Sequence, residues 1–496
     1  VAEFRASAGD GIHYHQLALV ALALVFRLSL VAEFRASAGD GIHYHQLAQQ
    51  LRHAHRFAYG PPPQPLTWTR SPGYPAFLAM LSPSTPVDLP QHLVIATRAN
   101  AVLDVGTAGL VAVMAWLLGM GRLAQVCGFA STIFMPPLFM LASHGLCESL
   151  TTWLLTLACC SALATRRAAR PFFFALVAGL SLGLALWVRL DSVLALPALL
   201  VVLWMAGRTI KHRLRWVLAC FALSMMVYSP WPLRSLLTFG ELHLGPSPWI
   251  DTQGVPMRLG MMRWAQTWAT GRIDGENYCL FVAANHGQLP PTRPNIILPT
   301  MYDDDAERQA LFDLFNRYCR EGESPDVDRG FYALAAERLR KHPFRTLVIL
   351  PLYRIRTLWS PMPSYELSLR SRLLRLPTQR PFWDNVCSAL LLLSGFGACI
   401  ALLDPGKRRW AAALLLIPLV RSLVFAFLLP IPLQRYFVEA IPVLLLFSGY
   451  ALAWPLVRLH DLLPKPLYRL WGQRPGGAMG PASSGEIAPR SDSDAF

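Results

Sequence analysis

Residues 166–215 read RRAARPFFFALVAGLSLGLALWVRLDSVLALPALLVVLWMAGRTIKHRLR. Two apolar blocks, Phe172–Val188 and Val193–Ala206, are parted by a short turn that carries Arg189 and Asp191. Basic residues crowd both outer flanks, Arg166, Arg167 and Arg170 on one side and Arg208, Lys211, Arg213 and Arg215 on the other. A bilayer crossing takes about 20 apolar residues, and short segments rich in Lys and Arg stay on the cytoplasmic side. The stretch therefore reads as a helical hairpin that crosses a membrane and returns, with its turn on the far side.

Worked outward, the same pattern covers the chain. Of 496 residues, 54% are apolar and only 15% charged. The net charge of +15 lies largely between the apolar blocks, so it marks topology and gives no support to nucleic-acid binding. Ten spans are expected, at Leu17–Phe34, Ile95–Leu118, Leu123–Ala142, Glu148–Ala164, Phe172–Val188, Val193–Ala206, Trp216–Leu233, Val386–Leu403, Trp410–Leu429 and Phe437–Leu456. With a cytoplasmic N-terminus, ten spans place every basic loop on one side, including Lys407–Arg409 and the tail bearing Arg458, Lys465, Arg469 and Arg474. The expectation is an all-α polytopic protein of the plasma or inner membrane with both termini cytoplasmic. Residues 17–238 form an N-terminal membrane module whose first outer loop is 35–94, and 239–341 form an extracytoplasmic hydrophilic domain. Residues 342–383 form an interfacial amphipathic segment, because Arg345, Arg354 and Arg356 are costly inside a bilayer. Residues 384–458 hold the last helices and 459–496 a cytoplasmic tail.

Residues Val1–Ala18 recur word for word as Val31–Ala48. Only the second copy follows a hydrophobic span, so residues 1–16 are read as a non-functional duplicate. The nine cysteines fit no zinc or haem spacing; Cys279 and Cys319, both in the hydrophilic domain, are compatible with a disulfide in an oxidising compartment. His43, His45 and His53 do not share one helical spacing around a carboxylate, and Asp303–Asp305 lack alternating ligand positions. No metal-ligand set is named and no cofactor is certain; a divalent metal is compatible with the sequence but not indicated.

After the first span come Gly39-Asp40-Gly41-Ile42-His43-Tyr44, an amphipathic stretch ending in Tyr59-Gly60, and Arg70-Ser71-Pro72-Gly73-Tyr74-Pro75-Ala76-Phe77-Leu78-Ala79. Cys147-Glu148-Ser149-Leu150, Pro230-Trp231-Pro232-Leu233-Arg234 with Phe239-Gly240, and Arg435-Tyr436 before Ala440-Ile441-Pro442 follow in order. This series resembles bacterial glycosyltransferase family 39, which is related to the protein O-mannosyltransferases and the lipid A aminoarabinose transferases. The resemblance implies a GT-C-type bundle and transfer of a hexosyl or pentosyl group from a polyprenyl-phosphate donor to a lipid, glycan or protein acceptor on the outer face. Gly41 stands where many relatives carry Glu, and Ser235 where Asn is common, so a two-carboxylate mechanism does not carry over.

Such chemistry needs a base for the acceptor, cations for the leaving phosphate and an apolar groove for the lipid. Asp40 is the candidate base, early in the chain, extracytoplasmic and followed by a glycine that lets substrate approach. His43, Tyr44, Arg70, Tyr74, Glu148, Arg189, Arg234, Arg435 and Tyr436 are the candidate substrate-binding residues. Six of these also have a plain structural role: Glu148 favoured by a helix dipole, Arg189 pairing with Asp191, Arg234 an interfacial charge, Tyr74 belt packing, and Arg435-Tyr436 an interfacial anchor. A secondary transporter or flippase would explain the hydrophobicity equally well, and a catalytically dead relative would explain the motifs. Topology is open to direct measurement. In a chain stripped of native thiols, Asp326→Cys should react with an impermeant maleimide in intact cells. Gly406→Cys should react only once the membrane is opened, and outside labelling at 406 would remove the ten-span arrangement.

Overall fold

The computed structural model describes residues 2–33, 39–245, 259–270, 299–321, 324–361, 380–430 and 433–462. Among them every regular element is a helix. Cys279, the tail beyond Leu462 and the side chains of residues 1–16 and Cys319 lie outside the described residues.

The long polar loop that follows α1 (Ala2–Glu33) holds two short helices, α2 (Gly39–Ala54) and α3 (Gly73–Leu81). Then α4 (Leu89–Leu117) returns, begun by Asp88, whose carboxylate accepts from the Gln91 amide at 2.9 Å. Next come α5 (Arg122–Ile133) and α6 (Pro136–Ser143), bent by 45° where two prolines cannot continue the helical ladder. The opening hairpin of the sequence appears as α7 (Glu148–Ala164), α8 (Pro171–Val188), a 3-10 turn Leu190–Ala195 and α9 (Leu196–Ala206). Helices α10 (Ile210–Tyr228) and α11 (Pro230–Phe239) complete the first half.

Among the described residues six helices are long and apolar enough to cross a bilayer, and the bent α5–α6 pair qualifies as a broken seventh. Three shorter apolar helices, Leu17–Ala32, Glu148–Ala164 and Leu190–Ala206, lie where other spans were expected but fall short of that length.

Apolar burial alone does not drive helices together in lipid, so close backbone approach matters more. Helices α16 (Arg380–Leu403) and α18 (Ile441–Leu462), which flank α17 (Arg408–Leu428) in the chain, show it; the last turns of α18 belong to a second unit, Trp454–Phe496. A Cβ on Gly449 of α18 would stand 2.4 Å from the Gly128 amide of α5, and one on Gly397 of α16 would meet the Phe447 carbonyl oxygen at 1.9 Å.

A small helical module is made of α12 (Leu259–Ala265), α13 (Asp305–Glu321) and α14 (Pro325–Lys341) around buried Trp264, Leu311 and Phe331. Asp303 of the acidic run pairs with Arg345 at 2.7 Å and with Arg338 at 3.2 Å, while Asp304 accepts from the Glu307 amide at the start of α13. Helix α15 (Leu350–Trp359) follows and departs from the expectation for Arg354. That arginine is 2% exposed and donates inward to the backbone carbonyls of Ala269, Ala426 and Pro430 at 3.0–3.2 Å, and to that of Gln266. The insertion cost that argued for a wet guanidinium is met by carbonyl acceptors inside the protein. Arg356 does face outward.

Gly449 and Gly395 make a matched test, because no atom lies within 4 Å of a Cβ at Gly395. Gly395→Ala should gain about 0.5–1 kcal/mol from helix propensity. Gly449→Ala should lose about 1–3 kcal/mol to overpacking. Thermal unfolding in detergent reads both, and equal shifts would remove the close α5–α18 contact.

Candidate active site

Asp40 sits in the first turn of α2, where the helix dipole favours a carboxylate. Two arginines from distant segments grip it. Arg70, from the loop before α3, donates Nη2 to Oδ1 at 2.8 Å, and Arg435, from the 3-10 helix Gln434–Ala440, donates Nη1 to Oδ2 at 3.0 Å. Burial would raise the Asp40 carboxyl, but Arg70 and then Arg435 outweigh it and hold it below the ordinary 3.8. The loop bearing Arg70 is fixed by Gly73, where a Cβ would stand 2.6 Å from the Trp187 carbonyl carbon at the end of α8. Only glycine permits that approach.

Beside this clamp lies a deeper network. Arg189 donates to both Asp191 oxygens at 3.0 and 3.1 Å, to Glu148 at 3.2 Å, and lies 3.1 Å from Glu439. Arg421 of α17 reaches Asp191 at 2.7 Å, Glu439 at 2.8 Å and the Tyr436 carbonyl at 2.6 Å. The Tyr436 ring links the two groups, with the Arg189 guanidinium 5.7 Å and the Arg435 guanidinium 5.4 Å from its centroid. Glu148 also acts electrostatically on Arg435. The four carboxylates Asp40, Glu148, Asp191 and Glu439 thus balance the four arginines Arg70, Arg189, Arg421 and Arg435.

Aromatic and polar side chains brace one wall. The Tyr44 hydroxyl donates to the Cys147 thiol at 3.3 Å, and its ring meets Tyr74 edge-on at 5.0 Å. Burial pushes the Tyr44 phenol well above its usual range. Tyr74 is held by the Asn100 amide at 3.1 Å, and Asn100 also donates to the Leu146 carbonyl at 2.9 Å. His43 packs on Tyr59; burial and then the Arg70 charge push its imidazole down, against the pull of Asp40.

Of the candidate residues, Asp40, Arg70 and Arg435 form the clamp, Glu148 and Arg189 join the deeper network, and His43, Tyr44, Tyr74 and Tyr436 line it. Arg234 is elsewhere. Its guanidinium lies among Trp231, Phe57 and Phe239 and donates to the Thr67 carbonyl at 3.2 Å, so it steadies the loop leading to Arg70. His45 pairs with His92 at 2.7 Å. Among the described residues no group of three or more His, Cys, Asp or Glu could hold a metal ion. Sequence reasoning missed Glu439 as a partner and left Asp191 and Arg421 outside the site. The available signal was an acid four residues after Arg435 in an otherwise apolar run.

No protein-family model matches the chain. No curated protein sequence matches it either. Solved structures do. The oligosaccharyltransferase of Archaeoglobus fulgidus in its apo form superposes with a TM-score of 0.50 at 14% identity, over 94% of this chain and 53% of that one. The same organism's AglB, in complex with an inhibitory peptide and a dolichol-phosphate, gives 0.49 at 13% identity over the same shares. ArnT from Cupriavidus metallidurans bound to undecaprenyl phosphate gives 0.39 at 13% identity, over 89% of this chain and 78% of that one. The likeness to the apo oligosaccharyltransferase shows the fold, a multi-pass membrane bundle of the GT-C kind. The chain spans about half the length of that enzyme.

Removing one member of a buried ion-pair network strands its partner, which typically costs about 3–5 kcal/mol. Arg421→Ala, at a side chain 1% exposed, should therefore lose that much in thermal unfolding. Glu321→Gln breaks the Arg317 pair, both partners more than 40% exposed, and should stay within about 1 kcal/mol. Equal small losses would mean the network does not hold the bundle.

Proposed function

We propose that the protein is a membrane glycosyltransferase that moves a sugar from a polyprenyl-phosphate donor to an acceptor on the extracytoplasmic face of the plasma or inner membrane. The observation that carries this reading is the Asp40 clamp: a carboxylate and two guanidiniums, brought together from three distant segments at one end of an apolar bundle. The similar structure of the Archaeoglobus fulgidus apo enzyme is that of an oligosaccharyltransferase, which agrees with glycosyl transfer. Membership in family 39 belongs to this proposal and rests on the motifs around Asp40, Arg70, Glu148 and Arg435.

In this reaction an acceptor hydroxyl or amine attacks the anomeric carbon as its proton passes to Asp40. The bond from that carbon to the phosphate oxygen breaks, and its electron pair stays on polyprenyl phosphate, which gains one negative charge. Arg70 and Arg435 stabilise that charge, and preorganised cations of this kind supply a large share of such catalysis. Tyr436 supports Arg435, and Arg421, through the Tyr436 carbonyl, fixes the 3-10 helix that bears both. Glu148 and Arg189 shape the floor. His43, Tyr44 and Tyr74 form the side wall toward the acceptor, a lipid, glycan or protein.

Purified protein incubated with a panel of polyprenyl-phosphate sugars and candidate acceptors should release polyprenyl phosphate, read by mass spectrometry. Asp40→Asn should cut turnover by roughly 10²-fold or more, the usual worth of a placed base. Arg435→Ala should weaken donor affinity instead, with Lys restoring it only in part because it lacks the planar fork. A fully active Asp40→Asn protein would end the role given to that carboxylate.

A further inference from the structure

We propose that Asp40 occupies, before the donor arrives, the place on Arg70 and Arg435 that the donor phosphate takes, so that donor binding is what frees the base. The inference rests on the donor reading above and adds an order of events to it. Each Asp40 oxygen accepts from a different arginine, Oδ1 from Arg70 at 2.8 Å and Oδ2 from Arg435 at 3.0 Å. Two oxygens spanning two guanidiniums is also how a phosphate engages a pair of arginines. While Asp40 holds Arg70 Nη2 and Arg435 Nη1, a phosphate cannot take those same N–H groups, and an anion brought beside the carboxylate repels it.

Exposure points the same way. Asp40, Arg70 and Arg435 are 22%, 22% and 29% exposed, whereas Arg421 and Glu439 beside them are at most 1% exposed. The contact that can be exchanged is the open one. Of its members, Asp40 is the one free to move. Arg435 belongs to a 3-10 helix whose Tyr436 carbonyl and Glu439 carboxylate are both held by Arg421. Arg70 leads directly into the Gly73 contact with α8. Asp40 lies at the start of a helix between two glycines, and even a Cβ on Gly41 would meet no atom nearer than 3.6 Å.

The consequence is a base that is masked when the site is empty. Clamped by two cations, the carboxylate holds a proton poorly. Once a phosphate satisfies the arginines, the carboxylate loses them and regains its basicity beside the donor. The acceptor is thereby deprotonated only when a sugar is present to receive it.

Removing the carboxylate charge should tighten binding of the phosphate lipid while abolishing turnover. Undecaprenyl phosphate affinity is measured by native mass spectrometry in detergent for the natural chain, Asp40→Asn and Arg70→Gln. Asp40→Asn should bind at least tenfold more tightly and Arg70→Gln more weakly. Equal or weaker binding by Asp40→Asn overturns the exchange while leaving the donor reading in place. Failure of every form, including the natural chain, to bind the lipid removes the donor reading and the exchange with it. Should the Asp40 variant not fold, the natural chain still decides. Carbodiimide coupling at Asp40, mapped by peptide mass spectrometry, should rise on addition of undecaprenyl phosphate, and unchanged or reduced coupling overturns the exchange.

Discussion

A charge buried at the end of a membrane bundle survives only if it is paired, because an isolated ion in a low-dielectric interior costs many kcal/mol. That constraint organises this protein. Glu148, Arg189, Asp191, Arg421 and Glu439 come from α7, the α8–α9 turn, α17 and the 3-10 helix before α18, and none of them finds its main partners in its own element. The exception is the Arg189–Asp191 pair within the turn, and even that pair is incomplete without Arg421 and Glu439. Satisfying five charges therefore requires four segments to meet at one point. The network specifies how the two halves of the bundle come together where apolar contact alone, in lipid, specifies little.

The same arrangement grades from closed to open. Glu439 and Arg421 are sealed, whereas the Asp40 clamp is partly wet. The sealed part joins the segments and the wet part is the one open to exchange, with the Tyr436 ring between the Arg189 and Arg435 guanidiniums. A rigid support matters because a catalytic charge misplaced by about 1 Å can cost 10²-fold in rate. Arg435 inherits its position from Arg421 through a hydrogen bond to the adjacent backbone, so a residue in α17 sets the geometry at Asp40.

Legibility in the sequence followed how local each signal was. The apolar blocks were readable because hydropathy is a sum over neighbours, and Glu148–Ala164 matched its helix to the residue. Asp40, Glu148, Arg189 and Arg435 stood out as charges near the ends of apolar blocks, and the structure brings Asp40 to Arg435 and Glu148 to Arg189. Those pairings were not readable. Asp40 and Arg435 are 395 residues apart, and no periodicity encodes such a closure. Glu439 was passed over because it lies inside a span, where its meaning depends on Arg421 of another helix. Arg354 was misplaced for the converse reason. Hydropathy scores a guanidinium by its cost in lipid and cannot see backbone acceptors supplied by other segments. Arg234 shows the same limit, since an arginine near a membrane surface reads alike whether it meets a substrate or, as here, three aromatic rings and a carbonyl.

Those carbonyl acceptors tie the small helical module to the site. A helix leaves its last four carbonyls without intrahelical partners, and α17 ends at Leu428 just before Pro430, which cannot continue it. Arg354 of α15 donates to the Ala426 carbonyl, and Gln266, which follows α12, donates to those of Phe427 and Leu428. Arg354 then reaches past the helix end to the Pro430 carbonyl. The C-terminal cap of α17 is therefore built from side chains more than 70 residues earlier in the chain. Five residues beyond Pro430 the chain presents Arg435 to Asp40. Arg421 holds the 3-10 helix through the Tyr436 carbonyl, and Arg354 and Gln266 hold the end of α17. Side chains outside the described site thus cap the helix that bears Arg421.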